Sequence, residues 1–295
     1  MNQDEFRHQA VVGIAEEPAV QEIIRRALDE DIGSGDASSL AVVDQHDRCR
    51  GRIVSRGGFA LAGLDVAAHV FRRVDAAITA SCLCSDGDIV EREQIVMEIA
   101  GPARGVLTAE RTALNFLQRL TGIATTTRLY VEHVRESGAA ILDTRKTTPT
   151  LRILEKYAVR CGGGENHRMG LFDRIMLKDN HLAHWRKHNA GDLSDMICSA
   201  RDAYPDLAIE VEVETVEDCA RVSAAAPEWI LLDNMTIDQL RDCVKICDGR
   251  SRLEASGGIT FETVAAVAAT GVDAISIGAL THSSAWADFS LEFEE

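Results

Sequence analysis

Apolar and polar positions follow two different rhythms along this chain. Before residue 120, short alternating segments such as 49–54 and 89–99 are separated by turns at Gly57-Gly58 and Asp86-Gly87-Asp88, which predicts antiparallel strands mixed with helices. After residue 135, apolar runs centred on Ile141-Leu142, Ile175-Met176-Leu177, Ile209 to Val213, Trp229 to Leu232, Leu253 and Ile275 to Ile277 alternate with amphipathic helical segments. That is the pattern of βα units on a parallel sheet. From Val211 onward the runs recur every ~20 to 23 residues, close to the minimum for a strand, a helix and two tight loops. Thr236 with Gln239 fits a capping box, and Thr215 with Asp218 and Thr260 mark further helix starts. Six units are too few for a complete eightfold barrel, so the expectation is α/β: an incomplete or distorted α/β barrel after an α+β region.

Each run, read to its carboxyl end, finishes in chemistry: Asp143-Thr144-Arg145-Lys146, Lys178-Asp179-Asn180-His181, Glu212 to Glu214, Asp233-Asn234, Ser256-Gly257-Gly258 and Gly278-Ala279. In α/β barrels the loops leaving these ends converge on the active site. Polar loops alone would predict mixed Ser, Lys and Glu, and give no reason for glycine pairs beside cations.

Composition narrows the class. With 295 residues, 46% hydrophobic and 26% charged, the chain reads as globular, with two domains or one barrel and an appendage. No apolar run approaches the ~18 residues of a membrane span, and the start MNQDEFRHQA lacks a secretory pattern, so no membrane association and a cytoplasmic location are expected. A net charge of -16 argues against nucleic acid as a partner. The eight cysteines read as reduced thiols: Cys82 and Cys84 are too close for the usual zinc pair, and Cys243 with Cys247 fits a buried helix face. His181, His184 and His188 near Cys198 read as an exposed segment rather than a metal site.

The charge is unevenly spread. Between Arg145 and Lys178 eight Lys and Arg face three acids, Glu155, Glu165 and Asp173. Arg152, Lys156 and Arg174 read as helix-surface charges. Arg145 and Lys146 leave a strand directly and His167-Arg168 follow Gly162-Gly163-Gly164, so these four are candidates to converge on an anion. The glycine run is not a Walker A loop; it permits either a sharp turn or an anion cradle. In Glu210-Val211-Glu212-Val213-Glu214 the three acids share one strand face. An exposed edge strand would explain them, whereas acids facing a barrel axis need cations or metal. Glu212 and Asp233 are candidates to hold Mg2+. Ser256-Gly257-Gly258 and Gly278 can point backbone N–H groups at a phosphate. Between 109 and 120, Ala109, Ala113, Phe116, Leu117 and Leu120 form a helical stripe with Arg111, Asn115 and Gln118 opposite, on pattern alone a solvated face.

The stretches LDEDIGSGDAS (28–38), AERTALNFLQRLTGIAT (109–125), DTRKTTPTLRILEKYAVRCGGGENHRMGL (143–171), LKDNH (177–181), EVEVET (210–215), LLDN (231–234), EASGGI (254–259) and IGALTH (277–282) closely resemble the quinolinate phosphoribosyltransferase family. The resemblance runs nearly end to end. It implies an N-terminal α+β sandwich domain over 1–120, a barrel domain over 121–282, and a tail, 283–295, packing back near the first. It implies transfer of phosphoribose from phosphoribosyl pyrophosphate to quinolinate with decarboxylation, Mg2+ as cofactor, and a homodimer or larger assembly in which Arg111 enters the neighbour's site.

Position by position, Arg111, Arg145, His167 and Arg168 resemble the groups that hold the two quinolinate carboxylates, and Lys146 and Lys178 those that contact carboxylate and pyrophosphate. Glu212 and Asp233 resemble the acids near ribose and Mg2+, and Ser256, Gly257, Gly258 and Gly278 the 5'-phosphate cradle. The chain departs from the family at Thr150 and Glu93, where glycine is usual, and at Ala37 and Ser38 in an early turn, which puts local loop shape in question. Two other readings remain at this point: a related phosphoribosyltransferase acting on nicotinate or another aromatic acid, and a non-catalytic phosphate-sensing barrel.

Overall fold

The computed structural model describes residues 13–188 and 193–294. The amino-terminal stretch inspected for a leader lies outside these residues. The described chain forms two compact units, residues 13–126, 148–163 and 284–294 in the first and 127–147 with 164–283 in the second.

The first unit opens with α1 (Pro18–Ile32), which starts at a proline and buries Val20, Ile24 and Leu28 along one stripe. Asp36 caps α2 (Ala37–Val42) by accepting the Ser39 N–H at 3.0 Å. The alternating segments become β1 (Arg48–Ser55), β2 (Phe59–Ala60), β3 (Thr79–Cys82), β4 (Ile89–Val90) and β5 (Ile95–Pro102), with α3 (Leu64–Val74) between β2 and β3. An antiparallel sheet runs in the order carboxy-terminal strand (Phe289–Phe293), β1, β5, β3, and β2 pairs with β4. Ile53 sits opposite both Met97 and Leu291. The run over 89–99 is two strands rather than one, because Glu93 takes a left-handed conformation (φ 66°) and turns the chain.

The polar–apolar helix over 109–120 is the middle of a longer one, α4 (Ala103–Val134), which passes from the first unit into the second. Ala109, Ala113, Leu117 and Leu120 are buried as the stripe requires, while Arg111 and Asn115 are exposed. The helix runs through Gly122, which has no room for a side chain because a Cβ there would lie 2.0 Å from the Ala285 carbonyl oxygen; the tail crosses at that glycine, and Ala287 N–H donates to the Gln118 carbonyl. α5 (Arg152–Cys161) belongs to the first unit: its Tyr157 hydroxyl donates to Asp86 at 2.5 Å, and Asp86 also accepts the Gly63 and Leu64 N–H groups that begin α3.

In the second unit the six apolar runs form the strands β6 (Ala140–Leu142), β7 (Ile175–Leu177), β8 (Ile209–Val213), β9 (Trp229–Asp233), β10 (Arg252–Ser256) and β11 (Ala274–Ser276), joined by α6 (Asp179–His188), α7 (Leu193–Ala203), α8 (Val216–Ala224), α9 (Ile237–Cys247) and α10 (Phe261–Ala268), with α11 (Ala279–His282) after the last. All pairs are parallel, in the order β6-β11-β10-β9-β8-β7. Strands β6 and β7 remain at opposite edges, so this is an incomplete barrel. Thr215 caps α8, and the capping box on α9 joins Thr236 and Gln239. Cys219, Cys243 and Cys247 are buried.

Candidate active site

The carboxyl ends of the parallel strands bring the candidates together in layers. After β6, the Lys146 N–H donates to the Thr144 hydroxyl at 3.0 Å and the Thr147 N–H to the Arg145 carbonyl at 2.9 Å, a tight turn that leaves Arg145 and Lys146 exposed. The Thr281 hydroxyl donates to the Lys146 carbonyl at 2.8 Å, tying α11 to this turn. Gly278 lies against Lys146: a Cβ there would come 3.1 Å from its Cδ, so glycine leaves room for the lysine stem.

Lys178, at the end of β7, pairs with Glu212 near the end of β8. Asp233 ends β9 and accepts the Asn234 side-chain N–H at 2.8 Å. Asn234 has φ 53° and donates its backbone N–H to the Ser256 carbonyl at 2.9 Å. Gly257 fits only as glycine: its φ is 94° and a Cβ would meet the Asn234 side-chain oxygen at 2.3 Å. The Asp233 and Ser256 loops are thereby locked together, with Gly258 exposed at the turn. Phe261 then starts α10, and Thr260 forms a capping box with Thr263.

Below this rim lies a buried layer. Segment 164–174 runs beside β6 through a parallel bridge between Leu142 and Glu165. Asp143, fully buried, accepts the Asn166 side-chain N–H at 2.5 Å and the His167 backbone N–H at 3.0 Å. His167 Nδ1 accepts the Arg168 N–H at 2.7 Å, and Nε2 faces Glu210 at 3.0 Å and Glu254 at 3.6 Å. Arg168 donates to the Arg174 carbonyl at 3.2 Å. Burial, and after it the charge of Arg145, holds the Arg168 guanidinium below its ordinary range.

Two expectations are corrected here. Lys156 and Arg174 are not surface charges, being 1% and 8% exposed. Arg174 donates to Glu210 at 3.3 Å and lies 5.2 Å over the Trp229 ring, which supplies the compensation that an inward-facing Glu210 needs. Lys156 is inside the first unit. The glycine run also ends a helix: the Gly162 and Gly163 N–H groups bond to the Ala158 and Arg160 carbonyls, so those two amides are engaged within the chain.

Sequence reasoning missed Glu254 altogether, and missed the buried roles of Asp143, read only as part of a strand end, and of Arg174. Glu254 carried one signal, a charged residue at the centre of a short apolar strand with both flanking positions buried. Of the carried-over candidates, Arg145, Lys146, His167, Arg168, Lys178, Glu212, Asp233, Ser256, Gly257, Gly258 and Gly278 all lie in the second unit; Arg111 lies in the first, exposed on α4.

Comparison with known proteins gives a consistent relationship. Residues 36–121 match the quinolinate phosphoribosyl transferase N-terminal domain, and residues 123–292 its C-terminal domain. The chain is 41% identical over 264 residues to a probable nicotinate-nucleotide pyrophosphorylase [carboxylating] of Bacillus subtilis, covering 89% of each chain. It is 42% identical over 280 residues to the Mycobacterium leprae nicotinate-nucleotide pyrophosphorylase [carboxylating], covering 93% of this chain and 97% of the relative. The nicotinate-nucleotide pyrophosphorylase structure from Francisella tularensis superposes with a TM-score of 0.87 at 36% identity, over 94% of this chain and 96% of that one. With both domain types matched in order and the cationic turn, paired acids and glycine turns at the strand ends, the chain belongs to the quinolinate phosphoribosyltransferase family.

Proposed function

We infer that the chain transfers the phosphoribosyl group of phosphoribosyl pyrophosphate to quinolinate, giving nicotinate mononucleotide, pyrophosphate and carbon dioxide, a step of NAD biosynthesis. The observation that carries this reading is the cation cluster: Arg168 is buried within the field of Arg145, a like-charge arrangement that a dianionic ligand relieves. A planar dicarboxylate matches the paired donors of guanidinium groups.

The chemistry follows from the layers. Arg145, Arg168 and His167, with Lys146, bind and orient the ring acid. Ser256, Gly257, Gly258 and Gly278 receive the 5'-phosphate. The ring nitrogen bonds to the anomeric carbon as the bond to pyrophosphate breaks, and the electron pair leaves with the pyrophosphate oxygen. Positive charge developing on the ribose is stabilised by Glu212 and Asp233, and negative charge on the leaving group by Lys178 and Lys146. The resulting pyridinium accepts the pair released when the adjacent carboxylate leaves as carbon dioxide, and a proton from water completes the ring.

Glu212 and Asp233 suit Mg2+. They stand on neighbouring strands with oxygen donors, and the described residues bring no third acid, His or Cys close enough to complete a protein cage around them. That fits an ion that keeps water and substrate oxygens in its shell. Bound there, it would neutralise pyrophosphate charge. In a homodimer, Arg111 of one copy completes the carboxylate site of the other.

The test is a coupled assay: quinolinate is consumed only with phosphoribosyl pyrophosphate and Mg2+, with carbon dioxide and pyrophosphate released in step. Turnover of nicotinate without quinolinate, or binding without turnover, would overturn the reading. Arg111→Ala loses roughly 100-fold in rate, as for a preorganised electrostatic contact. Mixing it with an inactive Glu212→Ala chain restores part of the activity through hybrid dimers; no recovery despite confirmed subunit exchange counts against the shared site.

A further inference from the structure

The buried layer holds more ionisable groups than substrate binding uses. Glu210 of β8 and Glu254 of β10 have no exposed surface, yet they share a sheet face, opposite the one that carries Val211 and Val213, and with His167 each brings a side-chain oxygen or nitrogen within 4.8 Å of the others. A true barrel interior is packed with branched apolar side chains. Here it contains two carboxyl groups, His167, Arg174 and the Ser276 hydroxyl.

The donors around the two acids differ. Glu210 receives Arg174 at 3.3 Å and faces His167 Nε2 at 3.0 Å. Glu254 receives the neutral Ser276 hydroxyl, and His167 is farther away at 3.6 Å. Two neighbouring carboxyls cut off from water do not both ionise, and the proton settles on the one with the weaker cationic support. Burial, and then the negative charge of Glu210, pushes Glu254 well above the carboxylate range.

His167, Glu210 and Glu254 also have the composition of a metal site. The tautomer argues against it. Nδ1 accepts the Arg168 N–H, so the ring proton of the neutral imidazole is on Nε2, the atom that faces both acids. That nitrogen has no lone pair to give a cation.

We propose that Glu254 is a protonated carboxylic acid that donates its O–H to Glu210, and that this pair is a positioning device holding the His167 ring, and through its Nδ1 the backbone of Arg168, beneath the carboxylate site. The device rests on the reading of that site given above. With Glu254 neutral, the base of the cation cluster is anchored by the single negative charge of Glu210 rather than by two.

The experiment compares Glu254→Gln, which keeps shape and an N–H donor, with Glu254→Leu, which keeps neither oxygen. In the full-length protein, KM for quinolinate, kcat, their pH profiles and the His167 ring nitrogen resonances are measured together. Glu254→Gln is expected to stay within about threefold of the wild type with an unchanged pH profile, and to keep the Nε2–H tautomer, because the donor is preserved. Glu254→Leu is expected to raise KM about tenfold, the scale of one lost charge-assisted hydrogen bond, with a smaller change in kcat and a mixed tautomer. Equal losses in both variants would mean that an ionised Glu254 is required, and a Leu variant with wild-type KM and tautomer would mean that no positioning occurs; either overturns the proposal. If Glu254→Leu does not fold, the Gln variant's pH profile and ring resonances decide alone. The resonances are read without substrate, so a chain that holds the tautomer but does not turn over quinolinate defeats the reading of function, while lost tautomer control with normal turnover defeats only the positioning device.

Discussion

The rim and the floor of the parallel sheet use the same residue types for opposite purposes. At the rim, Lys178 pairs with Glu212 while its side chain is 41% exposed. One layer down, Arg174 pairs with Glu210, which has no exposed surface. Water competes for the first pair and is absent from the second. An exposed pair contributes little to stability and can be exchanged for a ligand, whereas a buried one, once broken, leaves a charge with no solvent to receive it. Reactive flexibility above and fixed geometry below therefore follow from depth alone.

The comparison is broken most strongly by removing Lys178. Lys178→Met is expected to reduce turnover of quinolinate by roughly 100-fold to 1,000-fold, as for loss of one preorganised charge at a leaving group. Its unfolding free energy should move by no more than about 1 kcal/mol. Steady-state kinetics and urea unfolding on the same preparation check both halves; a large stability loss would show that the rim pair is structural after all.

Arg174→Met is expected to do the reverse. Removing the partner of a buried carboxylate costs about 3–5 kcal/mol of stability. Urea unfolding at neutral pH measures it. A loss below about 1 kcal/mol would place the Arg174 and Glu210 pair in the same class as the rim pair and erase the distinction.

This layering also explains what could be read from the amino-acid order. Strands β6, β7, β9 and β11 were legible because parallel strands covered on both faces are continuous apolar runs, β8 and β10 by their place in the repeat, and the chemistry at the strand ends followed from topology. Glu212 at the rim and Glu210 one layer below it were legible as one face of an alternating strand, but not the cation that serves Glu210. Arg174 lies 36 positions earlier in the chain, in a segment whose spacing looks like surface, and only folding brings the two together. Glu254 was hidden for the same reason: its partners, Glu210, His167 and Ser276, come from three other places in the chain. Only residues 109–120 of α4 were legible as a helical stripe; the helix runs on past Gly122, where the glycine accommodates the crossing tail.

The floor makes a prediction for pH as well. Glu254 retains its proton to higher pH in the folded protein than in the unfolded chain, where its ordinary value is 4.5. It therefore contributes stability that is complete below that value and is lost as pH rises through the raised one. Glu254→Gln removes this contribution, so the variant should gain on the wild type as pH rises, by up to about 1.4 kcal/mol per pH unit for one proton. Glu210 acts with the opposite sign, losing its contribution as pH falls through its lowered value. Unfolding free energies over a pH series separate the two; parallel curves for wild type and Gln variant would mean that Glu254 is ionised in the folded state.

The smallest expected effects lie away from both layers, at two residues with left-handed backbone. Thr150 and Glu93 have φ of 70° and 66°, in the left-handed region that glycine enters without a steric penalty. A β-branched residue is poorly suited to it. The Thr150 loop is nevertheless fixed from one side: Glu155, buried and paired with Arg119 at 2.7 Å, accepts the Thr148 N–H at 3.0 Å and its hydroxyl at 2.8 Å. Relief of the left-handed conformation by glycine, worth about 1–2 kcal/mol, is offset by about 0.5–1 kcal/mol of extra freedom in the unfolded chain. Thr150→Gly and Glu93→Gly should each therefore raise stability by less than about 1.5 kcal/mol, with Thr150 the larger because its side chain is branched. Thermal unfolding of the two single variants and the double variant checks the order. A loss at Thr150 would mean that its side chain makes a contact worth more than the strain of its backbone.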